Sequence, residues 1–172
     1  MTLAEETYVL GEERERLDER LDELAAKLVD ADEGSTAAQA ILDAANTVDT
    51  RGEGVAWLIE QHGPDAEVTV AALTAGDYAR VQDRLAGMAA QAGQSADLPG
   101  SRTNIYAAAG LVDAPFLDGD EDFDARIEAV ADQPVGVAQW LEGRVNHVTT
   151  RGSSEGNWDS LEDRLAERTA ES

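Results

Sequence analysis

The stretch Glu67–Leu85, EVTVAALTAGDYARVQDRL, constrains this chain most: a strand pattern, a helix start and an amphipathic helix follow one another without a gap. Val68 and Val70 alternate with Glu67 and Thr69, the period of two that a half-buried strand shows. Thr74 stands three residues before Asp77, close to a capping box, and Tyr78, Val81, Leu85 and Met88 recur at helical spacing. None of these residues is reactive, so the stretch speaks to architecture rather than to catalysis.

On either side of it the patterns are helical. From about Gly11 to Asp30, Leu10, Leu17, Leu21, Leu24 and Leu28 keep a/d-type spacing, with Glu13, Glu15, Arg16, Glu19 and Arg20 on the other faces. Asp32-Glu33-Gly34-Ser35 breaks this helix, and Ser35 or Thr36 can cap a second one. The second helix carries Ala38, Ile41, Leu42, Ala45, Val48, Val55 and Ile59 and stops at His62-Gly63-Pro64. Gly52 and Gly54 each cost about 1 kcal/mol against Ala in a helix, which predicts a kink or break near Thr50–Gly54. Two such helices with a short connection form an antiparallel hairpin.

After the central stretch, GQSADLPGSR reads as a loop and Thr103 or Asn104 as the start of a short helix, IYAAAGLVD, closed at Ala114-Pro115. A turn-rich FLDGDED leads into FDARIEAVAD, and Pro134 opens a helix with Val137, Trp140, Leu141, Val145 and Val148 on one side. A link rich in Gly and Ser then precedes a last amphipathic segment with Trp158, Leu161 and Leu165 in register. The fold class expected is mainly α with a minor β element. Its units are a helical hairpin over 1–63, a short strand plus helical domain over 64–151, and a link with a terminal helix over 152–172.

Charge narrows the setting. Thirty-six acidic residues face thirteen basic ones, for a net charge of −23, and the basic set contains a single lysine, Lys27. Such self-repulsion works against a compact state at low ionic strength but is largely screened in molar salt, where the Debye length is about 3 Å. Abundant acid, scarce lysine and few aromatics resemble the proteins of salt-in halophilic archaea. The arginines are scattered among carboxylates, which argues against nucleic acid as a direct ligand. No cysteine is present, so disulfides and thiolate metal sites are excluded. No apolar run of 18 residues occurs, and an N-terminal region dense in Glu and Asp does not read as a signal peptide. The expectation is a soluble protein of a high-salt cell interior, with no membrane partner.

Catalytic patterns are missing. The acidic loop Asp118–Asp124 starts like an EF-hand, but position 6 is Phe123 and position 12 is Ala129, so a solvated turn is the expectation rather than a calcium site. His62 and His147 lie 85 positions apart, neither in a ligand-spaced pair nor beside a nucleophile motif. Neither G-x-x-x-x-G-K-[ST] nor G-x-G-x-x-G occurs. A non-enzymatic chain without cofactor or metal is expected, working through its apolar stripes: Leu17, Leu21, Leu24 and Leu28; Tyr78, Val81 and Leu85; Trp140; and Trp158, Leu161 and Leu165.

A short strand, L-T-x-x-D-Y, an amphipathic helix, a loop and a late P-x-x-V-x-x-W-L helix follow one another here as AEVTVAALTAGDYARVQDRL and QPVGVAQWLEGRVNHV. This layout, over roughly residues 66–150, resembles the small tail assembly chaperones of long-tailed viruses, here of a virus infecting halophilic archaea. The acidic hairpin before it lies outside the pattern. The resemblance implies a protein that coats a long helical tape-measure protein until tail-tube subunits polymerise around it, and it carries over no catalytic residues. Its site of action would be the host cytoplasm during assembly, or the virion. The rival readings are a structural virion component (neck, adaptor or minor structural protein) and a host helical adaptor that dimerises through the hairpin. In each, the partner is a protein, a second copy of this chain included.

Overall fold

The computed structural model describes residues 4–92 and 99–150. Among these the chain is mainly helical, with six helices and one three-stranded antiparallel sheet. In order these are β1 (Glu5–Val9), α1 (Leu10–Val29), α2 (Thr36–His62), β2 (Glu67–Ala71), α3 (Ala75–Ala92), α4 (Pro99–Gly110), β3 (Leu111–Asp113), α5 (Phe123–Ala131) and α6 (135–150).

The hairpin forms as its local signals dictate. Ser35 caps α2, its hydroxyl accepting from the Ala38 N–H at 3.1 Å. Gly63 ends α2 with φ +92°, a conformation that disfavours any side chain, and its N–H reaches the Ile59 carbonyl at 2.8 Å. By contrast α1 has no side-chain cap, since Val9 stands in that position. Its first N–H groups are satisfied instead by the backbone just after α2: Leu10 donates to Ala66 at 2.9 Å and Gly11 to Pro64 at 2.8 Å. These two bonds bring the start of α1 to the end of α2, so the helices run antiparallel.

The sheet has the order β1-β2-β3, with Tyr8 opposite Val68, Thr7 opposite Thr69 and Val70 opposite Leu111. Tyr8, Val68, Val70 and Leu111 are buried on its inner face, while Thr7 and Thr69 share a hydroxyl hydrogen bond of 2.8 Å on the outer one. Strand β1 is not legible from local pattern because only Tyr8 of its five residues is buried. The end of the expected helix IYAAAGLVD is corrected: the helix stops at Gly110, and Leu111–Asp113 pairs with β2 as a strand.

Helix α6 is the centre of the core. Val137, Ala138, Trp140, Leu141, Val145 and Val148 are buried with Val55 and Leu58 of α2, Val68 and Val70 of β2, Ala107 and Ala108 of α4, and Val130 of α5. One core cluster therefore runs through both the hairpin region and the residues after 64. Of the kink or break expected near Thr50–Gly54, the break is not found: α2 is one continuous helix across these residues. Its glycine serves a crossing: a Cβ on Gly54 would fall on the backbone of Gly136 and Val137, and one on Gly136 would fall on the Thr50 carbonyl. Helices α2 and α6 touch backbone to backbone there.

Glu13, expected on an outward face of α1, is 1 % exposed and is the one buried charged residue among those described. Its carboxylate accepts from Trp140 Nε1 at 3.0 Å, pairs with Arg144 Nε at 2.6 Å and with Arg16 at 2.5 Å. Arg144 also lies over the Tyr8 ring at 4.9 Å, and Tyr8 meets Trp140 edge to face, with centroids 6.4 Å apart. Burial, then the hydrogen bond to Glu6, pushes the Tyr8 phenol far above its ordinary value, so it stays neutral.

Removing one partner from a buried charge pair costs about 3–5 kcal/mol. Glu13→Ala is therefore expected to lower unfolding stability by that order in molar KCl, measured by denaturant titration. Gly54→Ala is expected to cost about 1–3 kcal/mol or more, because the added methyl meets backbone that has no rotamer to yield.

Candidate partner-binding surface

Helix α3 is the least covered of the helices. Thr74 and Asp77 cap it reciprocally: Asp77 N–H donates to the Thr74 hydroxyl at 2.9 Å, and the Asp77 carboxylate accepts from Thr74 N–H at 3.0 Å and its hydroxyl at 2.7 Å. Of its 18 residues only Val81 is buried. Tyr78 is 50 % exposed, and Leu85 and Met88 are half-buried. Val81 lies outside the main core cluster, as does the buried Ile105 of α4, the helix on which α3 packs. The apolar stripe of α3 is thus only partly used by the described residues.

The other stripes are placed differently. Leu17 and Leu24 are buried and Leu21 and Leu28 half-buried, on the helix that packs against α2. Trp140 is 1 % exposed and belongs to the core. Of the expected partner-binding residues that are described, Tyr78 and Leu85 keep apolar surface to offer on α3, while Val81 anchors that helix. Trp158, Leu161 and Leu165 lie outside the described residues.

A second feature adjoins α4 on the α6 side. A half-open cavity of about 140 Å³ is lined by Gly100, Thr103, Asn104, Val135, Ala138 and Gln139, none of them charged. Val135 at its edge is 68 % exposed, and Val112 on the edge strand β3 is 47 % exposed.

Charge makes the same division. Residues 68–112 hold Asp77, Asp83 and Asp97 against Arg80, Arg84 and Arg102, so the entire net charge of −23 lies outside them. A stretch that takes in β2 after Glu67, and all of α3 and α4, is electrically balanced inside a strongly acidic chain. This signal is present in the sequence as a local charge count; reading the arginines as merely scattered among acids misses it.

Two carboxylates of the acidic loop, Glu121 and Asp122, bind nearby backbone. Glu121 accepts from the N–H groups of Asp118 and Gly119, the latter at 2.9 Å, and the first of these bonds holds its carboxyl below the usual range. Asp122 caps α5 through Ala125 N–H at 2.9 Å. Among the described residues no group of three or more His, Cys, Asp or Glu could hold a metal ion, and no helix is long and apolar enough to cross a membrane. His62 and His147 are both exposed, at the end of α2 and on α6.

No family model, curated protein or solved structure matches this chain.

Truncating exposed and buried members of the α3 stripe should separate them. Tyr78→Ser is expected to change unfolding stability by no more than about 0.5 kcal/mol, and Val81→Ala to cost about 2 kcal/mol. The cap should also respond to acid. Its hydrogen bonds to Thr74 lower the Asp77 pKa from 3.8 in the folded state. The stability it contributes is present above the unfolded value and is lost as pH falls through the lower folded value. The protection of the first-turn amides of α3, taken relative to their intrinsic exchange rates, is expected to fall over that range, and Asp77→Asn to remove this pH dependence.

Proposed function

We propose that this chain is a non-enzymatic protein-binding factor whose partner seats on the apolar stripe of α3. The observation that carries the reading is the coincidence of two properties at one place: the stripe from Tyr78 to Met88 is incompletely covered, and residues 68–112 bear no net charge. An acidic coat that keeps a chain dispersed also repels every acidic partner. The surface that must be touched is then the one where the coat is interrupted. An amphipathic helix laid on such a stripe is a common mode of recognition.

The finer reading is virus tail assembly in a salt-rich archaeal cell, with a long helical tape-measure-type protein as the partner. Its supports are the residue layout of 66–150 and the balance of 36 acidic against 13 basic residues with one lysine. An extended helix presents repeated apolar stripes, and many copies of a small chain can cover it while their acidic sides face the solvent.

The deciding experiment is recovery of the chain from producing cells in molar KCl, with mass spectrometry of what is retained. One very long helical viral protein is expected, lost with Tyr78→Asp, while finished particles contain none of this chain. Portal, capsid or tube subunits in its place, with this chain at fixed copy number in particles, would make it a virion component instead. The high-salt setting is checked separately. The thermal midpoint is expected to rise steeply as KCl is raised from low to molar concentration, because the Debye length falls from about 10 Å at 0.1 M to about 3 Å at 1 M.

A further inference from the structure

Where α2 packs on α6, away from the α3 stripe, an arginine has no ion pair among the described residues. The Arg51 guanidinium lies flat against Gly143: its Cζ, Nη1 and Nη2 stand 3.0, 3.1 and 3.2 Å from the position a Cβ would take there. Its Nε is buried and has no acceptor. Among the described residues the side chain makes no hydrogen bond and no ion pair within 4.0 Å.

That is unusual in a chain with nearly three acids for every base. The next residue on α6 is Arg144, a second positive charge, whose Nε is bound to Glu13 and whose side chain is 20 % exposed. Burial first, and Arg144 second, lowers the Arg51 pKa from its ordinary value, with Glu142 as the opposing charge. Glu142 in turn accepts the Thr103 hydroxyl at 3.1 Å, and Arg14, on the α1 side, is paired with Asp18 at 3.0 Å. Two arginines therefore act on one another where α2 packs on α6: Arg144 is bound to Glu13, and Arg51 is half-buried with no ion pair among the described residues.

We propose that Arg51, with Arg144 beside it, forms a binding site for a small oxyanion, a phosphate or a carboxylate, held on the outer Nη edge of Arg51. The fork of a guanidinium matches two oxygens of such a group with two parallel hydrogen bonds, a fit that the single centre of chloride does not offer. The stacking on Gly143 fixes the plane of the fork before the anion arrives. Arg144, held by Glu13, adds a second positive charge nearby, and the anion offsets its unfavourable effect on Arg51. The acidic field of the rest of the chain opposes anion entry at low salt and is screened in molar salt, so the site fills under the latter condition.

The test is a titration of the full chain with inorganic phosphate in molar KCl, followed by 31P line width or calorimetry, with acetate as a competitor. One saturable site is expected, weakened about tenfold or more in Arg51→Gln, the loss of one charge-assisted contact. Gly143→Ala is the companion variant. The atoms nearest its methyl belong to the far end of a flexible side chain, so the fold is kept while the guanidinium is pushed off its seat, and phosphate binding should weaken with Arg51 still present. Displacement by acetate assigns the site to oxyanions including carboxylates; phosphate that acetate does not displace restricts it to phosphate. The absence of saturable binding to the unaltered chain, or equal binding in folded Arg51→Gln, overturns the proposal.

Discussion

The fold depends on what happens to one carboxylate. An ion removed from water costs several kcal/mol unless a partner of opposite charge and well-placed donors compensate it. Glu13 is 1 % exposed, and of its three partners Trp140 and Arg144 come from α6, far along the chain. A shift of α6 by one residue along α1 would take both away and leave the charge stranded. The backbone contact of Gly54 with Gly136 and Val137 fixes the same helix on α2. Helix α6 is thereby held in register on two sides, and other elements attach to it. Helix α4 does so through Thr103 and Glu142, and the link between β2 and α3 through the hydroxyl of Thr149, which accepts from Leu73 N–H at 3.1 Å.

Helix α3 stands outside this system. It is anchored by Val81, by its Thr74–Asp77 cap and by an ion pair of 3.3 Å between Arg84 and Asp124, both well exposed. Exposed ion pairs contribute about 0–1 kcal/mol. An element joined by one buried side chain and surface contacts opens more readily than one embedded in the core. The helix held least firmly is also one without net charge, Asp77 and Asp83 being balanced by Arg80 and Arg84.

What could be read in advance follows the range of the signal. Ser35, Gly63, Thr74 and Asp77 act on neighbours within four residues, and each does in space what its local pattern says. Strand β1 could not be read this way, because its partner β2 lies about sixty residues on and only Tyr8 marks the buried face. Strand β3 follows an alanine run without a break in hydrophobicity; the helix ends at Gly110, where a Cβ would meet the γ-methyls of Val145. Glu13 is the clearest case. Nothing local distinguishes it from the carboxylates around it in GEERERLDER, since its meaning resides in Trp140, 127 positions away. The glycines of α2 mislead for a related reason: their cost in an isolated helix is local, whereas the space at Gly54 is filled by α6 and that at Gly52 by Arg14 of α1.

The charge pattern bears on how any partner can be recognised. If the chain works in molar salt, a screening length of about 3 Å removes long-range attraction, and steering by complementary charge contributes little. Recognition then rests on groups in contact, chiefly apolar area taken from water, at about 25 cal/mol per Å² before the costs of association. Tyr78, Leu85 and Met88 present such area where no surplus of acid has to be desolvated with it. Interrupting the acidic coat over β2, α3 and α4 therefore removes a penalty rather than creating an attraction. A partner can be as acidic as this chain, provided that its own contact stripe is as nearly neutral.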